Sequence, residues 1–363
     1  MENTFSPDLF FTFFIIGNFI ISLFLFNLFS YFSHSFGVRE FQKSEVNRWN
    51  PNHKPSVGGF VFYIIFLLTM IFATLLFGIP QQDKIKSMGL WGAATIAFFM
   101  GFADDTFNTQ PILKSASQLT CALVLILTGT QIHIFENNLL NHFLTILWTV
   151  GIMNSINMLD NMDGIAGSIS LYIFVFILWI IYHLNFSIFS IHFLLIAGTS
   201  ISLLAFLFFN FHPSRIFMGD TGSQFLGLLL AYVGIEYIWN FPYDASLLDS
   251  IHPVVYKFFL IALVYLIPLT DTTTVTINRI LTGGSPFVGG KDHTTHYLCR
   301  RGLSERMVFY IFSFIAILSG ILAYNLMFHF SVMNLYVSIL FCLISFLFLY
   351  LNTKLFCSER KSN

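Results

Sequence analysis

Long stretches of this chain are almost wholly apolar, and that constrains its fold more than any other feature. About 20 consecutive apolar residues cross a bilayer as one helix. Eleven such runs can be counted, roughly 9–33, 57–78, 87–103, 113–132, 143–159, 165–183, 188–209, 223–240, 254–271, 307–327 and 332–353. They are continuous and do not alternate at period two, so they predict helices and not the strands of a barrel. The four runs between 87 and 183 are interrupted by small and polar residues, and their limits are the least defined. The expected fold class is all-α, a polytopic membrane protein of about eleven transmembrane helices. Composition agrees. Of 363 residues 56% are apolar and 10% charged, with a mean hydropathy of +0.76. A soluble domain is about 25% charged, so an ordinary soluble enzyme is excluded, as is a disordered chain. A net charge of −1 excludes nucleic acid as partner, because such binders carry a basic stripe.

Lys and Arg collect on the cytoplasmic side of membrane helices. With eleven spans, fourteen of the seventeen fall on one side, and only Lys84, Lys86 and Lys257 fall on the other. The expectation is therefore an N-terminus outside and a C-terminus in the cytoplasm, in the inner (plasma) membrane. The first run follows Glu2 and Asp8 with no positive charge and no clear small-residue cleavage site, so it reads as a span and not a signal peptide. The chain reads as a single integral domain, 1–363, with cytoplasmic-face loops at 34–56, 104–112, 158–164, 210–222 and 272–306. The 47 Phe residues read as packing. Cys121, Cys299, Cys342 and Cys357 have no metal spacing.

The acidic residues carry the functional signal. Asp104, Asp105, Asp160, Asp163, Asp220, Asp271 and Asp292 all fall at or near the expected cytoplasmic helix ends. Carboxylates near membrane depth are functional or paired, and helix capping accounts for one or two of them, not for seven. Asp104-Asp105 is followed by Lys114 and Gln118. In 154–164, Asn154, Asn157, Asp160 and Asp163 recur every three residues, so the first three share about a third of a helix surface. In 216–223, Met218-Gly219-Asp220-Thr221-Gly222-Ser223 opens a span. Free N–H groups there suit a diphosphate, and Asp220 suits its Mg²⁺. In 289–296, Asp292-His293-Thr294-Thr295-His296 follows Asp271, Arg279 and Lys291. Zinc is a rival ligand, but no third ligand appears in a recognisable pattern. Lys54-Pro55 and Gly58-Gly59 open the second span, where the glycines read as packing.

Taken in order, these motifs resemble the polyprenyl-phosphate N-acetylhexosamine-1-phosphate transferase superfamily over Lys54 to Gly302. The resemblance is nearer to the GlcNAc-1-phosphate transferases of O-antigen, enterobacterial common antigen or teichoic acid than to the phospho-MurNAc-pentapeptide transferase. That enzyme has a run of histidines followed by Glu, and ten spans. One departure is Asn161, where the family often has Gly. The resemblance implies transfer of a HexNAc-1-phosphate, GlcNAc first, from a UDP-sugar to a polyprenyl phosphate lipid. UMP is released and a lipid-linked envelope glycan is begun. It implies Mg²⁺ as cofactor, with Mn²⁺ able to substitute, and leaves a homodimer open. By position, it implies Asp220 as principal metal ligand. Asp104 and Asp105 would lie at the metal and acceptor phosphate, and Asp160 and Asp163 at the nucleotide with Lys54. Phe217 would stack on uracil, Asn157 would help arrange the site, and Lys114 and Asn154 are expected with them among the substrate contacts. His293 and His296 with Arg279 and Asp292 would hold the diphosphate.

The acceptor is a phosphate monoester with a second pKa of about 6, so direct attack needs little help from a base. A two-step path through Asp104 or Asp105 as nucleophile is the alternative. Other classes fit less well. An aspartic protease needs a second partner for Asp220-Thr221-Gly222. A CDP-alcohol phosphotransferase needs an Arg shortly after Asp163-Gly164. A transporter predicts charges at mid-membrane and internal repeats, and the sequence has neither.

Overall fold

The structure is a computed structural model that describes residues 7–32, 54–184, 187–242, 252–284 and 292–359. It is built from helices: α1 Pro7–Phe32, α2 Gly58–Phe77, α3 Lys84–Phe107, α4 Pro111–Leu127, α5 Asn138–Leu159, α6 Ile165–His183, α7 Ile191–Asn210, α8 Gly219–Gly234, α9 Pro253–Val264, α10 Leu266–Leu281, α11 Thr294–Arg300, α12 Glu305–Phe328 and α13 Val332–Glu359. Among the described residues, α1, α2, α3, α5, α6, α7, α12 and α13 are long and apolar enough to cross a membrane, which makes eight spans. Taking α9 and α10 as one span makes nine.

The structure therefore differs from the eleven runs at three places. The run 113–132 is α4, only 17 residues long. The run 223–240 is α8, 16 residues, continued by a π-helical turn over Ile235–Trp239. The run 254–271 is broken, because α9 and α10 meet at 90°. Pro268 lies in the first turn of α10, where its missing N–H leaves no bond unmade, but it cannot continue α9. Tyr265 marks the corner and donates through its hydroxyl to the carbonyl of Leu230, 2.6 Å away. Because α10 extends to Leu281 and α11 follows, much of the segment 272–306 is helical and not loop.

At the centre stands α8, packed against α3, α5 and α2. Every residue of it is buried except Asp220. In a bilayer the lipid is as apolar as a side chain, so close packing and hydrogen bonds hold helices together. Two glycines make the close approach possible. A Cβ on Gly59 would lie 2.3 Å from the amide nitrogen of Gly222, and one on Gly101 would lie 2.4 Å from the carbonyl oxygen of Asp220. The entry to α2 is sewn to the entry to α8 by backbone bonds. Phe217 N–H donates to Pro55 O (2.9 Å), Gly58 N–H to Phe217 O (3.1 Å) and Gly59 N–H to Met218 O (3.1 Å). At the far ends of α3 and α8, Lys86 donates to both carboxylate oxygens of Glu236 at 3.1 Å.

Candidate active site

Five chain segments meet at the end of the bundle where α3 stops and α8 begins. Asp104 and Asp105 are in the last turn of α3, and they do different work. Asp105 accepts from the backbone N–H of Asp220 and of Thr221, both at 2.9 Å, and from the Thr221 hydroxyl at 2.6 Å. It thus caps α8 from a neighbouring helix, filling both its oxygens with the donors a helix start leaves open. The expected diphosphate seat on those N–H groups is therefore already taken, which corrects that expectation. Asp104 accepts from Thr109 N–H (2.9 Å), the Thr109 hydroxyl (2.6 Å) and Lys114 Nζ (2.9 Å).

Lys114, in the first turn of α4, is the hub. Besides Asp104 it reaches Asp220 Oδ1 at 3.3 Å and Asn157 Oδ1 at 3.1 Å. Asn157 donates to Asp220 and, at 2.9 Å, to the Ser223 hydroxyl. Lys114 Nζ bridges the carboxylates of Asp104 and Asp220, at 2.9 and 3.3 Å. Two carboxylates that close call for a shared proton or a cation between them. The Asp220 side chain is 30% exposed, against 17% for Lys114 and 11% for Asp104, so it is the member most open to a ligand. Asn154 is not part of this layer. It points one turn deeper and pairs with Gln118 and the carbonyl of Val150, which corrects its placement among the substrate contacts.

Beside this hub lies a second group. Asp163 is buried and accepts from Ser214 N–H (3.0 Å) and the Ser214 hydroxyl (2.8 Å). Lys54 Nζ donates to the same hydroxyl at 2.8 Å, lies 3.7 Å from Asp163 and sits 5.1 Å from the centroid of the Phe217 ring. His212 Nδ1 bridges Asp163 (3.3 Å) and Glu305 (2.9 Å). Ligand atoms of Asp163, His212 and Glu305 all lie within 4.8 Å of one another. The nearby ammonium and the two Ser214 donors already satisfy Asp163, so this is a hydrogen-bonded cluster by its chemistry. His212, Ser214 and Glu305 were not singled out from the sequence. His212 and Ser214 stood inside the 210–223 segment without a period to mark them, and Glu305 is 142 residues from Asp163 along the chain.

The third group is built on α10 and α11. Asp271 is buried and accepts from His293 Nδ1 (2.9 Å), Thr294 N–H (3.0 Å) and the Thr294 hydroxyl (2.5 Å). Arg279 makes a two-pronged pair with Asp292, both bonds at 2.7 Å. Burial pushes the Asp292 carboxyl up, but the Arg279 hydrogen bonds and charge outweigh it and hold the group below the usual range. His296 is buried and bonds through Nε2 to the carbonyl of Asn161 at 3.3 Å. Burial first, and the nearby His293 second, push its pKa down to about 4. It is therefore neutral at pH 7. The Arg279 charge is matched by Asp292. Asn161 has a use that Gly would lack: its side chain accepts from the Thr295 hydroxyl at 2.7 Å and donates to Met158 O at 2.8 Å, tying the 158–164 segment to α11. Asp160 closes α5, its N–H donating to Ile156 O at 3.1 Å. Lys291 lies outside the described residues.

The chain is similar to known proteins over most of its length. The glycosyl transferase family 4 pattern matches residues 87–238. The chain is 30% identical over 300 residues to the "Probable undecaprenyl-phosphate N-acetylglucosaminyl 1-phosphate transferase" of Bacillus subtilis, which covers 79% of this chain and 78% of that one. It is 27% identical over 285 residues to the decaprenyl-phosphate N-acetylglucosaminephosphotransferase of Mycobacterium leprae, covering 70% and 68%. It is also 28% identical over 292 residues to the phospho-N-acetylmuramoyl-pentapeptide-transferase of Clostridium perfringens, covering 74% and 83%.

Proposed function

This chain belongs to glycosyl transferase family 4, and from that premise we propose that it is a membrane transferase moving N-acetylglucosamine-1-phosphate from its UDP donor to a polyprenyl phosphate. An oxygen of the lipid phosphate attacks the β-phosphorus of the donor, the bond to the α-phosphate breaks, and UMP leaves. The product begins a lipid-linked envelope glycan. Phosphoryl transfer asks for positioning and charge neutralisation more than for covalent help. The observation that carries the reading is one lysine shared among aspartates delivered by different helices at one end of the bundle.

Three aspartates against one lysine leave an excess of negative charge, and Asp220 is its exposed member. That donor set fits Mg²⁺, which prefers one or two carboxylates with waters and substrate phosphates. Asp220 and Asp104 would hold it, and Mn²⁺ would substitute. When bound, the ion would neutralise the diphosphate and the departing UMP. Lys114 keeps Asp104 and Asp220 from repelling each other apart, and Asn157 orients Asp220. Asp163, Lys54 and Phe217 line the nucleotide side together with Asp160. His293, held by Asp271 through Nδ1, would offer its other nitrogen to phosphate. Asp105 and Asp104 have their oxygens engaged by donors, which favours direct attack by the lipid phosphate over an aspartyl intermediate.

We read eleven spans here: the eight long helices, α4, α8 with its π turn, and the bent pair α9–α10. With the Lys and Arg bias, the C-terminus and the site face the cytoplasm at the plasma membrane, where a nucleotide sugar and a lipid headgroup meet. The test is UMP release by detergent-purified protein given UDP-GlcNAc, polyprenyl phosphate and Mg²⁺. No release, or release undiminished by a chelator, defeats the reading. A preference for UDP-MurNAc-pentapeptide as donor would move the chain to the peptidoglycan reaction.

A further inference from the structure

One helical turn below the charged hub lies a layer of amides that the reaction does not use. On α4, Gln118 follows Lys114 by four residues. On α5, Asn154 precedes Asn157 by three. On α8, Gln224 follows Asp220 by four. Residues three or four apart share a helix face, so each helix that brings a group to the hub also brings an amide beneath it. Asn154 Nδ2 donates to Gln118 Oε1, and Gln118 Nε2 donates to both Asn154 Oδ1 and Gln224 Oε1, all at 3.0 Å. Gln118 and Gln224 are fully buried.

Gln224 Nε2 is buried with no hydrogen-bond partner. Leaving a buried donor unmade is destabilising, and an apolar side chain of similar size would only move that loss to Gln118, whose Nε2 now donates to Gln224 Oε1. Stability therefore does not account for this glutamine. Direction does. Apolar side chains let neighbouring helices slide or rotate slightly, whereas paired amides hold one register. α4 packs along α3 and α5, and it reaches α8 through two polar contacts, Lys114 to Asp220 and Gln118 to Gln224.

We propose that Gln118, Asn154 and Gln224 are positioning residues whose amides set the register of α4, α5 and α8, so that Lys114, Asn157 and Asp220 converge one turn above. The proposal rests on the transferase reading for its kinetic consequences and on the amide geometry for its structural ones. A misplacement of about 1 Å costs a reaction on the order of a hundredfold, so a loosened register shows in turnover before it shows in folding.

The test uses the full chain in detergent. In Gln224→Leu, kcat for UMP release falls about tenfold or more, KM for UDP-GlcNAc stays within about twofold, and the thermal midpoint changes little, because the unpaired Gln224 donor goes while Gln118 Nε2 loses its acceptor. Gln118→Asn and Asn154→Gln each lower kcat, and the double exchange, which restores the combined length of the pair, recovers most of it. A wild-type kcat in Gln224→Leu overturns the proposal, as does a loss in the two exchanges that tracks thermal stability and is not recovered in the double variant. Hydrogen exchange of α4 gives a readout independent of chemistry. It rises in Gln224→Leu, and unchanged exchange overturns the proposal. A wild-type protein that releases no UMP defeats the transferase reading instead, and α4 exchange then decides the amide layer alone.

Discussion

The two ends of the α3–α8 pair both place a lysine against carboxylates, and they solve the problem oppositely. At the far end Lys86 meets both oxygens of Glu236, one charge for one charge. At the site end Lys114 meets Asp104 and Asp220, with Asp105 beside them holding the start of α8. The first end is balanced and needs nothing further. The second is overloaded with negative charge, and a carboxylate cluster in that state is incomplete without a cation. The difference teaches that net charge around a lysine separates a fastening from a site, even along the same two helices.

The largest effect expected from this contrast is that of Asp220→Ala. Removing the exposed member of the overloaded end should lower UMP release by about a thousandfold, the upper range for one preorganised electrostatic group, while the protein still inserts in membranes. Full activity in that variant sinks the metal assignment. Next, Lys114→Met should lower turnover by about a hundredfold and also lower the Mg²⁺ concentration needed for half-maximal rate, because the carboxylates lose their internal cation. Lys86→Met at the balanced end should leave the rate within about twofold and lower only the melting temperature. Equal rate losses at the two ends would erase the distinction. His296→Ala should slow turnover about tenfold, with His296→Gln, whose amide can still donate to Asn161 O, retaining most of it. A wild-type rate in the alanine variant would leave that histidine a packing group.

The smallest effect is a pH dependence of stability. His296 has a folded pKa of about 4, below its value of about 6.5 in an unfolded chain. Between these values the unfolded chain binds a proton that the folded one refuses, so stability falls as pH drops from 6.5 to 4. The loss is on the order of 3 kcal/mol at most. Thermal unfolding in detergent should show this decline in the wild type and a flatter profile in His296→Gln.

Much of the site was legible in the sequence because alternating spans sort residues by side without any knowledge of packing. Asp104, Asp105 and Asp220 do converge, with Asp163 in the group beside them, and the order of their motifs pointed to the family that the relatives share. What a residue does once it arrives was less legible. Asp104 and Asp105 are neighbours with the same side chain, yet one joins the hub and the other caps α8, and the choice depends on which way each points at the end of α3. Asn154 and Asn157 share a face but differ by a turn in depth. The bend between α9 and α10 was hidden because hydropathy records burial and not direction, and Pro268 allows either a kink or a new start. Ser214, His212 and Glu305 gave no pattern because their partners are remote in sequence.

The backbone seam between Pro55–Gly59 and Phe217–Met218 has a consequence for how the protein comes into being. Its two edges leave the ribosome about 160 residues apart, with six helices, α2 to α7, made in between. Lys54 waits for Ser214, and Gly59 waits for Gly222. A nascent chain halted just before α8 therefore carries Asp104, Lys114 and Asn157 but lacks both the seam and Asp220.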